Sequence, residues 1–423
     1  MGAGPRTRQD WVPLAGRERI AALDVLRGLA LLGIALMNVE WFSAPLVARV
    51  DGIDPAASGL DLWLDAASYV LVSGKFWVLF ALLFGMGFAV MQARAQEAGR
   101  AFAPFYLRRT FALLAIGVVH ACLIWSGDIL VAYALAALLM LACFSRAPVR
   151  GLWAWGGALY YAIAGVVALF ALLLALFGGT VDGAGDQAEV ARQLALQRDE
   201  VVAYTGDSYL AATAFRIRFL LVSLGDTLFF LPMALGVFVF GAWLVRSGAV
   251  ADADGHRRLF RSFSWGAAPL GLALTLVGVA IDPAPDLVSG AGARPMAAAA
   301  FQLAGAPLLS LGYLGWVVLA LQRGGRWLRL LAPAGRMALT LYLMQSAVGT
   351  LVFYGYGFGL WGQVGRSAQV AGVLVVFVLQ LVIAHAWMAR FRFGPVEWLW
   401  RGLTYRALPP LRRSSGSSPE AAS

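Results

Sequence analysis

The sequence predicts an all-α, polytopic membrane helix bundle of about ten transmembrane helices, with the N- and C-termini both inside. Three observations carry that reading. Of the 423 residues 61% are hydrophobic and 13% charged, and mean hydropathy is +0.75, a balance that soluble globular chains do not reach. Ten separate apolar stretches each approach the roughly 20 residues that cross a bilayer as a helix. Arginines recur in alternate connections between them, as topology requires.

The expected spans run over 21–42, 75–92, 106–126, 129–144, 152–177, 227–245, 263–281, 299–321, 335–354 and 368–389. Arg6, Arg8, Arg17 and Arg19 precede the first span, which contains Asp24 and Arg27 and lacks a small-residue cleavage site. It therefore reads as a retained anchor. Leu60–Ser73, ahead of the second span, reads as an interfacial helix or an outward extension of that span. With the N-terminus in the cytoplasm, Arg94, Arg100, Arg108, Arg109, Arg146, Arg150, Arg246, Arg257, Arg258, Arg261, Arg323, Arg326, Arg329 and Arg336 all fall inside. Acidic residues such as Asp51, Asp61, Asp65, Asp128, Asp207 and Asp226 fall outside.

The outer connection 178–226 is the longest. It contains a polar helical stretch, Gln187–Val202, and an amphipathic run, Tyr209–Leu224, expected along the outer surface with Arg216 and Arg218 at headgroup level. Residues 1–413 read as one integral membrane domain, and the Ser-rich tail 414–423 as disordered. The net charge of +10 does not point to nucleic acid, because the basic residues are distributed between spans and form no single patch. Cys122 and Cys143 both lie in spans and read as small packing groups. His, Cys and carboxylates never fall at ligand spacing, so no metal is expected. Gly355-Tyr-Gly-Phe-Gly359 reads as a turn. Gly85 and Gly87 read as close-packing positions.

Function must be sought among the polar residues the spans tolerate. Asp24 and Arg27 are three apart on one helix face and can pair, and Asn38 extends the same stripe outward. They read either as a topology anchor with an interhelical hydrogen bond, or as ligand contacts. His120 is the one histidine placed well inside a span, in its outer half, with Asp128 close behind. If the chain turns at Gly127, the carboxylate can orient the imidazole for proton transfer; otherwise His120 is a hydrogen-bonded packing residue. Lys75, the single lysine, stands at the outer start of the second span, to hold a phosphate or sugar acid or to snorkel. Thr340, Tyr342, Gln345 and Ser346 lie at mid-depth of the ninth span, where interhelical hydrogen bonding is the default. The aromatic and basic segment Phe391–Tyr405 suits the inner interface, with Arg392, Glu397 and Arg401 available to close an inner mouth.

Leu23-Asp-Val-Leu-Arg-Gly-Leu-Ala-Leu-Leu-Gly-Ile with Asn38 resembles the opening of the YeiB-type family of bacterial inner-membrane proteins. Gly335-Arg-Met-Ala-Leu-Thr-Leu-Tyr-Leu-Met-Gln-Ser and Phe391-Arg-Phe-Gly-Pro-Val-Glu-Trp-Leu-Trp-Arg resemble its C-terminal domain of unknown function, about 227–405 here. Lys75-Phe, Leu83-Phe-Gly-Met-Gly-Phe and His120 through Gly127-Asp-Ile-Leu fit as well, so the resemblance spans most of the chain. It implies a multi-pass protein of the bacterial cytoplasmic membrane, and a transport role has been attached to the family. The Asp-x-x-Arg-Gly opening is also similar to that of transmembrane acyltransferases of the heparan-glucosaminide acetyltransferase type, which carry acyl groups from cytoplasmic acyl-coenzyme A to an acceptor across the bilayer. Those of the sugar-modifying kind have a histidine near the outer end of the first helix, where this chain has Asn38.

The resemblance therefore implies acyl transfer to an envelope glycan, lipid or small acceptor, with acyl-CoA as co-substrate. His120 would be the base, Asp128 its orienting partner, and Asn38 or Gln345 the oxyanion donor. Asp24, Arg27, Lys75, Arg108, Arg109 and Gln345 would contact substrate or coenzyme. The alternative is a proton-coupled transporter or flippase of a small solute or lipid headgroup, with His120 and Asp128 as the coupling pair. A scaffold whose polar groups serve packing alone is the third reading. The lipid bilayer is the expected partner and nucleic acid is not; oligomeric state is left open.

Overall fold

A computed structural model describes residues 21–46, 52–177, 184–286 and 292–413; the predicted tail 414–423 and the first four arginines lie outside them. In chain order the helices are α1 (Ala21–Ser43), α2 (Gly59–Leu71), α3 (Lys75–Glu97), α4 (Phe102–Leu123), α5 (Leu130–Leu139), α6 (Val149–Phe177), α7 (Ala184–Thr205) and α8 (Tyr209–Val222). They continue as α9 (Leu224–Arg246), α10 (Arg257–Ser262), α11 (Ala268–Ile281), α12 (Ala293–Gln322), α13 (Ala332–Arg336), α14 (Ala338–Phe353), α15 (Arg366–Arg390) and α16 (Pro395–Tyr405). π-helical turns extend α5 over Met140–Phe144 and join α10 to α11 over Phe263–Ala267, and a 3-10 turn, Arg326–Leu331, leads into α13.

Every expected span falls mainly on helical residues. Among the described residues, eight helices are long and apolar enough to cross a membrane, and nine if α13 and α14 count as one span with its preceding turn. Two elements differ from expectation. The span expected over 335–354 is broken at Met337, where the chain bends by 76°. The one expected over 129–144 has 10 α-helical and 5 π-helical residues, about 22 Å of rise and short of the roughly 30 Å hydrocarbon core. α2 meets α3 through a turn at Gly74, whose φ of 74° a side chain would strain, and together they form one apolar stretch, Gly59–Glu97.

Lipid tails are as apolar as leucine, so helices in a bilayer associate through close packing rather than through escape from water. Here glycines provide the close approaches. A β-carbon on Gly28 of α1 would strike the Leu331 carbonyl, and one on Gly335 would strike that of Asp24. The glycine of the Asp-Val-Leu-Arg-Gly opening thus lets α1 cross the broken span. Gly85 likewise seats α3 against the backbone of Phe238 on α9, while Gly87 leaves space beside the Arg27 guanidinium. One apolar cluster surrounds α1 and the α13–α14 break, a second lies between α3, α5, α6 and α9, and a third lies on the outer side beneath α7 and α8.

Candidate functional site

The turn between α4 and α5 brings the imidazole and carboxylate together. His120 lies on the buried face of α4 with Thr110, Leu113 and Gly117. Its Nδ1 is 2.6 Å from Asp128 Oδ2, and the two side chains are 1% and 2% exposed. Asp128 Oδ1 accepts the Val131 N–H in the first turn of α5, so the carboxylate caps that helix while it holds the imidazole. The turn requires a glycine at 127, because a β-carbon there would strike the Trp125 ring. With Nδ1 bonded to a carboxylate, that nitrogen carries the proton of the neutral ring and Nε2 is the bare base. Nε2 is buried and has no hydrogen-bond partner among the described residues. The Tyr342 ring packs beside it, with centroids 5.2 Å apart.

A cap of outer residues holds this turn in place, and sequence reasoning missed it. Arg216 of α8, expected at headgroup level, is 0% exposed. Its guanidinium lies 5.5–5.6 Å from the rings of Tyr204, Tyr209, Tyr354 and Tyr356. It donates to the Tyr356 hydroxyl at 2.7 Å and to the Leu123 carbonyl at 3.2 Å. Tyr209 also donates to Leu123 O, and Tyr204 bonds Ser126. Three hydrogen bonds thus grip residues 123–126, between the histidine and the aspartate. Arg218, by contrast, stays exposed and pairs with Asp199. Arg366 joins Glu40 of α1 and Asp65 of α2 at 3.0 and 3.2 Å, a second outer tie between distant segments.

The inner end of the bundle gathers the expected arginines against α16. Arg27 pairs with Asp24 at 3.0 Å and is about one-third exposed. The Arg109 guanidinium stacks 3.5 Å over the Trp400 ring, whose Nε1 donates to Arg109 O. Arg108 donates to the Thr404 carbonyl. Arg109 also feels the charges of Arg27 and Arg401, so three cations share this corner. Between them and His120, three turns along α4, the cluster of Leu26, Leu31, Met86, Leu113 and Leu130 is closely packed.

The remaining candidates are dispersed. Asn38 is buried on α1, 7% exposed. Gln345 cross-links α14 to α15 by donating to Gln380 Oε1 and reaches Leu31 O on α1, which leaves its own carbonyl oxygen as the unpartnered atom. An oxyanion requires donors, so Gln345 in this arrangement offers the wrong end. Lys75 neither snorkels nor faces the outer surface. It is 1% exposed, and its ammonium donates to the Tyr69 carbonyl and to Gln302 of α12. Among the described residues no three His, Cys, Asp or Glu side chains gather around a common point.

The long apolar helices and the buried polar groups between them define a multi-pass helical membrane protein. A family profile described as "Protein of unknown function (DUF418)" matches residues 244–407. The chain is 32% identical over 419 residues to the "Uncharacterized protein YxaH" of Bacillus subtilis (strain 168), covering 95% of this chain and 98% of that one. It is 30% identical over 404 residues to the "Uncharacterized protein YeiB" of Escherichia coli (strain K12), covering 93% and 98%. A protein of Bacillus acidopullulyticus encoded in an amylase 3′ region is 26% identical over 94% of this chain and 97% of its own length. The chain belongs to the YeiB family.

Proposed function

We propose that the protein is an acyltransferase of the bacterial cytoplasmic membrane, moving an acyl group from cytoplasmic acyl-CoA to a hydroxyl or amine acceptor reached from the outer side. The observation that carries this reading is the buried His120–Asp128 pair, with Nδ1 tied to the carboxylate and Nε2 unpartnered. In the proposed step Nε2 takes the acceptor proton as its oxygen or nitrogen attacks the thioester carbonyl. The carbon–sulfur bond breaks, and the imidazolium returns the proton to the departing thiolate. Asp128 stabilises the imidazolium formed in between, and Asn38 is the proposed oxyanion donor.

Arg27, Arg108 and Arg109 are the proposed phosphate contacts at the inner end, with Arg401 added by its place beside Arg109. The three helical turns from Arg109 to His120, about 16 Å, suit an extended pantetheine arm. The leucine layer between them must part to admit it. That layer also favours a second reading, proton-coupled transport, in which His120 and Asp128 titrate inside an occluded bundle.

The test is calorimetric titration and single-turnover hydrolysis of acetyl-CoA with the purified full-length chain. Acyl transfer expects binding, slow hydrolysis, at least a hundredfold loss of hydrolysis with binding retained in His120→Ala, and weakened binding in Arg109→Gln. Absence of acetyl-CoA binding, or wild-type turnover in His120→Ala, eliminates it. Substrate-driven proton uptake in proteoliposomes would then support the transport reading.

A further inference from the structure

We infer that the inner end of α12 carries a binding site for an anionic glycerophospholipid of the cytoplasmic leaflet. A groove of about 480 Å³ opens there, lined by Trp265, Trp316, Leu319, Arg323 and Trp327. Three indoles from three segments converge on it: Trp265 from the π-helical turn, Trp316 from α12 and Trp327 from the 3-10 turn, exposed by 70%, 40% and 70%. The backbone is built to make this opening. Gly324, at a φ of 87°, reverses the chain straight after α12, and a side chain on Gly325 would collide with the Ala320 carbonyl. Gly315 lets the π-helical turn seat against α12, since a β-carbon there would meet Phe260 O and Ser264 Oγ.

Charge and depth select the occupant. Tryptophans favour the headgroup level of a bilayer, where the apolar ring and the polar N–H each find a suitable medium. Arg323 lies in the groove and its side chain makes no hydrogen bond or ion pair with the described residues. Arg326 adjoins Trp327, and Arg261 precedes Trp265 by one helical turn, so the rim is basic while the wall toward the bilayer interior is Trp316 and Leu319. A guanidinium can grip a phosphodiester through two parallel N–H donors. A zwitterionic lipid would bring a second cation to this rim, whereas a lipid with a net negative headgroup would not. The acyl chains would run along Trp316 and Leu319 toward the bilayer centre. The inference is independent of the acyltransferase reading.

The test uses the full-length chain, delipidated in neutral detergent, with thermal unfolding and native mass spectrometry as readouts. Added phosphatidylglycerol should raise Tm saturably and remain bound in the spectrum, while phosphatidylcholine and free glycerol 3-phosphate should do neither. Arg323→Gln should weaken the apparent affinity about fivefold, the equivalent of one basic residue near an anionic surface. Trp327→Ala should shorten lipid retention. Arg150→Gln, another exposed inner arginine, should leave the response unchanged. Equal responses to phosphatidylglycerol and phosphatidylcholine, an equal response to glycerol 3-phosphate, or Arg323→Gln behaving like Arg150→Gln would overturn the inference.

Discussion

Arg216 and Lys75 are cations that the fold removes from solvent, and they solve the problem differently. A buried charge is tolerated only when hydrogen bonds and nearby electron density replace its water. Arg216 is surrounded by four phenol rings and donates to a carbonyl and a hydroxyl; Lys75 donates to a carbonyl and an amide oxygen. Replacing Arg216 with Ala should cost about 3 kcal/mol, the combined scale of a desolvated cation–π contact and a charged hydrogen bond, read as a fall in Tm. Because the cap grips residues 123–126, the same variant should also lower acetyl-CoA turnover more than acetyl-CoA binding. Lys75→Met should cost about 2 kcal/mol through loss of the ammonium's two hydrogen bonds, to Tyr69 O and Gln302 Oε1, while acetyl-CoA affinity stays at the wild-type value. Neither environment was legible in the sequence. The partners of Arg216 come from four tyrosines at 204, 209, 354 and 356, and Gln302 stands far along the chain from Lys75. The His120–Asp128 pair was legible because its partners are eight residues apart across a single turn.

At the scale of elements, the break at Met337 leaves the first N–H groups of α14 without partners inside their own helix. Glu397 of α16 supplies them. Its carboxylate accepts from Leu339 N at 2.7 Å, Thr340 N at 3.1 Å and Thr340 Oγ1 at 2.5 Å, and Thr340 Oγ1 accepts in turn from Val396 N. Burial holds the Glu397 carboxyl above the ordinary glutamate range, against the opposing pull of those hydrogen bonds. A group raised in the folded state contributes its stability fully below the unfolded value of about 4.3 and loses it as pH rises through the folded value. Glu397→Gln keeps an acceptor and removes the charge, so its Tm should stop falling with pH across that window. Glu397→Ala removes the titrating carboxyl and the cap together, so its Tm should also stop falling across that window but lie below that of Glu397→Gln by the equivalent of about 1 kcal/mol. Thermal melts from pH 4 to 8 separate the two. Neither the break nor the carboxylate that completes it was read from the sequence, where 335–354 is one continuous apolar span and Met337 is a good helix former. The reading of Phe391–Tyr405 as an interfacial segment described its amphipathic surface and missed this inward contact.

For the whole molecule, the alternation of arginine-rich connections with apolar spans remains the strongest statement the sequence makes; eight of the ten expected spans reappear as helices long enough to cross, while 335–354 is broken and 129–144 is short. Hydrophobic length is a local property and therefore readable; which helix touches which depends on glycine contacts such as Gly28 with Leu331 and Gly85 with Phe238, and these join distant positions. Gly85→Val should accordingly abolish accumulation of folded protein, measured by size-exclusion recovery from membranes. Sidedness has its own check. In a chain lacking Cys122 and Cys143, an impermeant maleimide should label Asp207→Cys from the outer side and Ala98→Cys only after the membrane is opened; the reverse pattern would invert the topology.

The partner of the α14 amino terminus is encoded 57 residues downstream of Thr340. During synthesis the amino terminus of α14 therefore stays unsealed until α16 has been made. A nascent chain cut short ahead of Pro395 would keep the first N–H groups of α14 exposed at the kink, the kind of loose end at which local unfolding begins.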